Sequence, residues 1–126
     1  MFQEAFPILS TRDMARSLRF YRDLVGCTVA YQFPEQGDPG YVGLRLGDSH
    51  LGIGLDPELA NAGAEDRRRF ALWVYADDCD AAVERLRGNG VPVASEPADQ
   101  PWGERMAEVL DPDGHRVIVA ARATRP

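Results

Sequence analysis

Few residues of this chain could do chemistry. Its two histidines lie far apart, His50 at the start of an apolar run and His115 just after Asp111-Pro112-Asp113-Gly114. A divalent ion needs about three or more N, O or S donors in convergent geometry, and one imidazole does not supply them. His50 reads as a hairpin residue at a cavity rim and His115 as a turn-flanking surface group. Cys27 and Cys79, the only cysteines, lack CxxC spacing and are too few for a disulfide framework, so both read as small buried apolar groups. There is no GxSxG elbow for a serine nucleophile and no glycine-rich loop for a nucleotide phosphate. What remains is aromatic: Phe6, Phe33, Tyr41, Trp73, Tyr75 and Trp102. Trp102 follows Pro101 in a loop, where a buried core residue is less expected; its indole offers a ring face to a planar ligand and an N–H to a carbonyl.

These side chains have to be positioned by elements that the sequence marks out. Phe6 to Thr11 reads as a strand, with Ser10, Thr11 and Asp13 as helix N-cap candidates. Met14, Leu18 and Tyr21 form the apolar stripe of a helix ending at Gly26, while Arg16, Arg19, Arg22 and Asp23 take its other face. Cys27 to Phe33 follows as a strand. Tyr41 to Leu46 and His50 to Leu55 then make a hairpin on Gly47-Asp48. After a polar stretch, Phe70 to Ala76 is a strand and Cys79, Val83 and Leu86 mark a second helix, closed by Gly88-Asn89-Gly90. Val91 to Ser95 is a short strand, Glu96 to Pro101 a loop, and Gly103 to Leu110 with Arg116 to Ala121 the closing hairpin. The tail from Arg122 to Pro126 is expected to fray.

The second half repeats the first. Asp13 to Gly26 leads into Cys27-Thr28-Val29-Ala30, and Asp77 to Gly90, the same interval, leads into Val91-Pro92-Val93-Ala94. A module of this size does not bury its own apolar face, so the two copies are expected to close around a shared concavity. One domain spans residues 1–126: a first β-α-β-β-β module at 1–57, a linker at 58–69 and a second module at 70–122. The charged run Glu65-Asp66-Arg67-Arg68-Arg69 ends the linker as a solvated face. The expected class is α+β, a curved mixed sheet around a cavity.

Composition narrows the partners. With 126 residues, 44% hydrophobic and 27% charged, the chain suits one globular core. Its net charge of −6 disfavours nucleic acid, which needs a basic face for counterion release, and favours a neutral or cationic small ligand. No run approaches the roughly 20 apolar residues of a membrane span, and Met1-Phe2-Gln3-Glu4 lacks a signal-peptide pattern, so a cytoplasmic protein away from membranes is expected.

Asp13, Ser17, Phe20-Tyr21 and Gly26, the second Asp77 to Gly90 module, Trp102-Gly103-Glu104-Arg105 and Asp111-Pro112-Asp113-Gly114 together resemble the vicinal oxygen chelate superfamily of glyoxalases, bleomycin-resistance proteins and dioxygenases. The resemblance covers nearly the whole chain. It implies paired βαβββ modules that, in the superfamily's enzymes, hold a divalent metal through His, Gln or Glu side chains of the first, fourth, fifth and eighth strands. The corresponding positions here are Phe6, a residue near Gly52, Ala71 and Ile118, and none donates an electron pair from its side chain. A slip of one residue brings only other apolar groups; His50 would reach the strand-four position only by a shift of two. Glu104 and Glu108 lie on the seventh strand, away from those positions.

By strand alternation Ile8 shares the face of Phe6, while Trp73 and Tyr75 share that of Ala71. Phe33 and Tyr41 are expected at the same mouth as Trp102, with Glu104, Arg105 and Tyr75 as polar contacts. Gly52 leaves two readings open, room for a ligand or neighbouring backbone and a bulge or bend. An aromatic-walled cavity without ligating groups resembles the antibiotic-binding branch of the superfamily. That implies a homodimer that needs no cofactor or metal and sequesters an aromatic, antibiotic-like molecule one for one. The alternative is a metal-dependent lyase, isomerase, dioxygenase or thiol transferase of the same superfamily; a ligand-responsive accessory module is a third reading.

Overall fold

The computed structural model describes residues 1–61, 63, 66 and 69–122. Glu65, Arg67 and Arg68 of the charged run, and the tail beyond Arg122, lie outside the described residues. The chain forms two compact units, Met1–Ala60 and Asn61–Pro126. None of the described helices is long and apolar enough to cross a membrane.

In the first unit, β1 (Ile8–Thr11) leads into α1 (Met14–Leu18), which continues as a π-helical turn over Arg19–Leu24. β2 (Thr28–Phe33), β3 (Tyr41–Leu46) and β4 (Ser49–Leu55) complete it. The sheet order is β1-β4-β3-β2, with β1 parallel to β4 and the other pairs antiparallel. Leu9, Val42, Leu44, Leu51 and Ile53 are buried on one face, and α1 packs against β4.

The N-cap of α1 is Asp13, whose side chain accepts from the Arg16 amide at 3.1 Å. The helix buries Met14, Ser17, Phe20 and Tyr21, whereas Leu18, expected in its stripe, is half-buried. The cause is the π-turn: the Val25 amide donates to the Phe20 carbonyl, five residues back, at 2.9 Å, and the widened turn brings both rings to the core side. Phe20 and Tyr21 meet edge to face with centroids 4.7 Å apart.

The second unit has the same plan. β5 (Leu72–Tyr75), α2 (Cys79–Gly88), β6 (Val93–Asp99), β7 (Arg105–Leu110) and β8 (Arg116–Ala121) form a sheet of order β5-β8-β7-β6, with β5 parallel to β8. α2 packs on β6, β7 and β8, and burial of Cys79, Val83 and Leu86 gives the stripe its sequence predicts.

The α2 N-cap is Asp78 rather than Asp77, accepting from the Ala81 amide at 3.0 Å. Asp13 therefore corresponds to Asp78, and the first module holds one residue more between its cap and the closing glycine, Gly26 or Gly90. The π-turn absorbs that extra residue. β6 also runs through Pro97, which the sequence pattern places in a loop. An edge strand tolerates a residue without an N–H, and the β6–β7 pairing shifts register between Ser95 and Ala98 to accommodate it.

Candidate functional site

Each sheet has a face opposite its helix, and nearly all the expected site residues stand on these faces. In the first unit one transverse row is Ile8, Gly52, Gly43 and Tyr31, and the next is Ser10, Gly54, Tyr41 and Phe33. A concavity of about 340 Å³ opens here, walled by Phe6, Tyr31, Tyr41 and His50, with Glu4 at its edge and Gly43 in its floor. That volume is at the small end of ligand pockets and suits a ring system more than a whole drug-sized molecule. Tyr31 and Tyr41 stand with ring centroids 6.1 Å apart, tilted by 58°.

Of the expected residues, the concavity gathers Phe6, Tyr41 and His50. Phe33 pairs with Tyr41 and is exposed beside it. Strand pairing passes through Gly52 without irregularity, which removes the bulge. The space above Gly52 is taken by side chains: a Cβ there would overlap the Tyr41 hydroxyl and come within 3.0 Å of Cζ of that ring and 3.1 Å of Ile8 Cγ1. Tyr31 is missed by sequence reasoning. Alternation along β2 does carry the signal, since Tyr31 stands two residues before Phe33 and in continuous register with it, opposite Gly43 on the open face, while the register shift lies beyond Tyr31 toward Val29.

In the second unit Trp73 pairs with Ile118, which pairs with Glu108, and Tyr75 pairs with Ala120, which pairs with Met106. Ala71 immediately precedes β5 and is half-buried, while Ile118 is buried. Trp73 and Tyr75 are exposed with rings 6.0 Å apart, edge to face. Trp102 donates its indole N–H to Glu104 Oε1 at 2.8 Å. The nearby Glu104 carboxylate, with burial, pushes the Tyr75 phenol above its ordinary range.

Arg105 is held by the fold. Its Nε reaches both carboxylate oxygens of Asp80 at 3.0 and 3.1 Å, and its Nη1 reaches Asp99 at 3.1 Å. Glu108 and Arg116, also on the open face, are tied to each other at 2.5 Å, a pair that the sequence does not announce. Only the hairpin register of β7 and β8 brings them together.

By the resemblance drawn from the sequence, the metal-ligand positions of the superfamily's enzymes correspond to Phe6, a residue near Gly52, Ala71 and Ile118. Phe6 and Ala71 each lie seven residues ahead of the helix-capping aspartate of their module. Phenyl, hydrogen, methyl and butyl groups do not bind a cation. Among the described residues no three His, Cys, Asp or Glu side chains are grouped so as to hold an ion. The donor set does not fit a divalent metal.

The two sheets of repeated β-α-β-β-β order define an α+β fold class with an open aromatic face in each unit. The model of the Glyoxalase/Bleomycin resistance protein/Dioxygenase superfamily matches residues 5–119, and the chain belongs to that superfamily. It is 31% identical over 118 residues to the "Bleomycin resistance protein" of Klebsiella pneumoniae, covering 90% of this chain and 88% of that protein. It is 30% identical over 98 residues to the "Putative glyoxylase CFP32" of Mycobacterium bovis, covering 78% of this chain and spanning 36% of that longer protein. A solved glyoxalase/bleomycin resistance protein/dioxygenase from Nocardioides has the same fold, with a TM-score of 0.70, 24% identity and coverage of 100% of this chain and 88% of that one.

Proposed function

We propose that this chain is a metal-independent binding protein that holds an aromatic, antibiotic-like molecule of neutral or cationic charge and withholds it from its target one for one. The observation that carries this reading is the donor set: carbon and hydrogen stand at Phe6, Gly52, Ala71 and Ile118, where catalytic relatives place nitrogen and oxygen. Likeness to a bleomycin resistance protein over nine-tenths of the chain supports it. Phe6, Tyr31, Tyr41 and His50 wall the first-unit concavity, offering ring faces and one imidazole edge to a planar guest. The net charge of −6 speeds the approach of a cation more than it tightens binding. In this reading the protein acts in the cytoplasm as a homodimer.

Calorimetric titration with bleomycin and other aromatic antibiotics, followed by chromatography of the recovered compound, tests it. Binding that saturates at one equivalent per site, with the compound recovered unchanged, is the expected result. Conversion of many equivalents per site would refute sequestration. Likeness to a protein named as a glyoxylase favours a second reading, a metal-dependent enzyme. Elemental analysis after dialysis separates the two, because stoichiometric Ni, Zn, Mn or Fe would support the enzyme.

A further inference from the structure

The second unit's open face carries a cluster of rings around one carboxylate. Trp73 and Tyr75 expose their rings from β5, and Trp102 stands exposed on the turn before β7. The Trp102 indole N–H donates to Glu104, and the same carboxylate stands near enough to Tyr75 to raise its phenol above the ordinary range. Over the Tyr75 ring lies a cation from the chain itself: the Arg122 guanidinium carbon is 3.9 Å from the ring centroid. The ring quadrupole presents negative charge at its face, and Glu104 adds a full negative charge nearby. Arg122 follows the last residue of β8, Ala121, and is exposed, so its side chain is not fixed by the sheet.

We propose that Trp73, Tyr75, Trp102 and Glu104 form a subsite for an organic cation, a guanidinium or quaternary ammonium group, and that Arg122 takes the place of that group until a ligand displaces it. This deepens the binding reading above and rests on it, naming the charged group that the second unit's own face would take. Arg122 acts as an internal competitor. Its stacking sets the threshold that an incoming cation must exceed, and removing it exposes the Tyr75 face.

The chain has two tryptophans, Trp73 and Trp102, and both belong to the cluster, so intrinsic fluorescence reports on this site. The full chain is titrated with choline and with methylguanidinium, against 3,3-dimethylbutan-1-ol and methylurea as neutral counterparts. Saturable emission changes with the cations, at least about threefold tighter than with the neutral molecules, are expected. Glu104→Gln should weaken cation binding by about threefold, and Arg122→Ala should tighten it by a similar factor, while Arg122→Lys, which keeps a competitor, should stay near wild type. Saturation by one cation and not the other supports the subsite and names its head group. Equal binding of cations and neutral counterparts, no saturable response to any probe, or Arg122→Ala binding no tighter than wild type would overturn the proposal. Turnover of a drug together with cation-selective fluorescence would remove the sequestration reading and leave this subsite standing. Stoichiometric sequestration without cation preference would do the reverse.

Discussion

The phenol end of Tyr41 lies over Gly52, on the neighbouring strand, with the ring in the volume that any side chain at residue 52 would need. Tyr41 is thus both a wall of the concavity and the reason that β4 has no side chain at that point. Gly52→Ala should cost about 1–3 kcal/mol, because the ring or Ile8 must move. A methyl carbon on Gly54 would meet nothing within 4 Å, so Gly54→Ala should change stability by no more than about 0.5 kcal/mol. Urea denaturation of both variants checks this, and Tyr41→Ala combined with Gly52→Ala should recover much of the loss as a non-additive pair.

Truncating the same ring tests its part in binding. Tyr41→Ala opens the concavity and removes one of the two neighbouring tyrosine rings of its wall. The expected loss is about tenfold in affinity for an aromatic ligand, near the upper end of the ~0.5–1.5 kcal/mol that such ring pairs contribute. Calorimetry on Tyr41→Ala and Tyr41→Phe measures it, with Tyr41→Phe staying near wild type if stacking dominates.

The two capping aspartates should behave alike. Asp13→Ala and Asp78→Ala each remove a side-chain acceptor from a helix amide and should each cost about 0.5–2 kcal/mol. Asp77→Ala, next to the true cap, should cost much less. Thermal unfolding of the three variants would expose an error in the placement of the second cap if Asp77→Ala proved the more damaging.

Arg105 should matter for stability and not for the ligand. It joins the first turn of α2 to the end of β6 through Asp80 and Asp99, all partly solvated, so Arg105→Ala should lower stability only slightly, and less at high salt. Ligand affinity should stay unchanged in the same variant, measured by the same calorimetric titration.

Alkaline pH should weaken the fold through the thiols. Burial pushes both Cys27 and Cys79 above the ordinary value of 9.0. In the unfolded chain they ionise near that value, whereas in the folded chain they ionise only at higher pH. Their contribution is therefore complete below about pH 9 and is lost as pH climbs toward the folded values. Denaturant midpoints from pH 7 to 10 should fall over the upper part of that range. Replacing both cysteines with alanine should flatten that part of the decline. Thiol reagents at pH 7.5 should label the native protein far more slowly than the unfolded one.

Strand and helix order was legible in the chain because the signals are local. The hairpin at Gly47, the alternation from Tyr41 to Leu46 and the stripe of Cys79, Val83 and Leu86 depend on residues a few positions apart, and the structure follows them. The π-turn after Leu18 was not legible. Equal spacing from Asp13 to Gly26 and from Asp77 to Gly90 suggests equal helices, while the cap sits one residue later in the second module. Both aspartates carry a plausible capping side chain, and only the helix actually formed selects between them.

By itself, then, the sequence determined the α+β plan, the doubling of the module and the absence of electron-pair donors at Phe6, Gly52, Ala71 and Ile118. These are properties of residue type and of spacing along one segment. Tertiary structure decided which groups meet: Tyr41 over Gly52, Arg105 drawn to Asp80 and Asp99, and Arg122 on Tyr75. Each of those contacts depends on the register between strands or on packing across many residues of intervening chain, and a shift of one position in a strand would send every side chain to the other face.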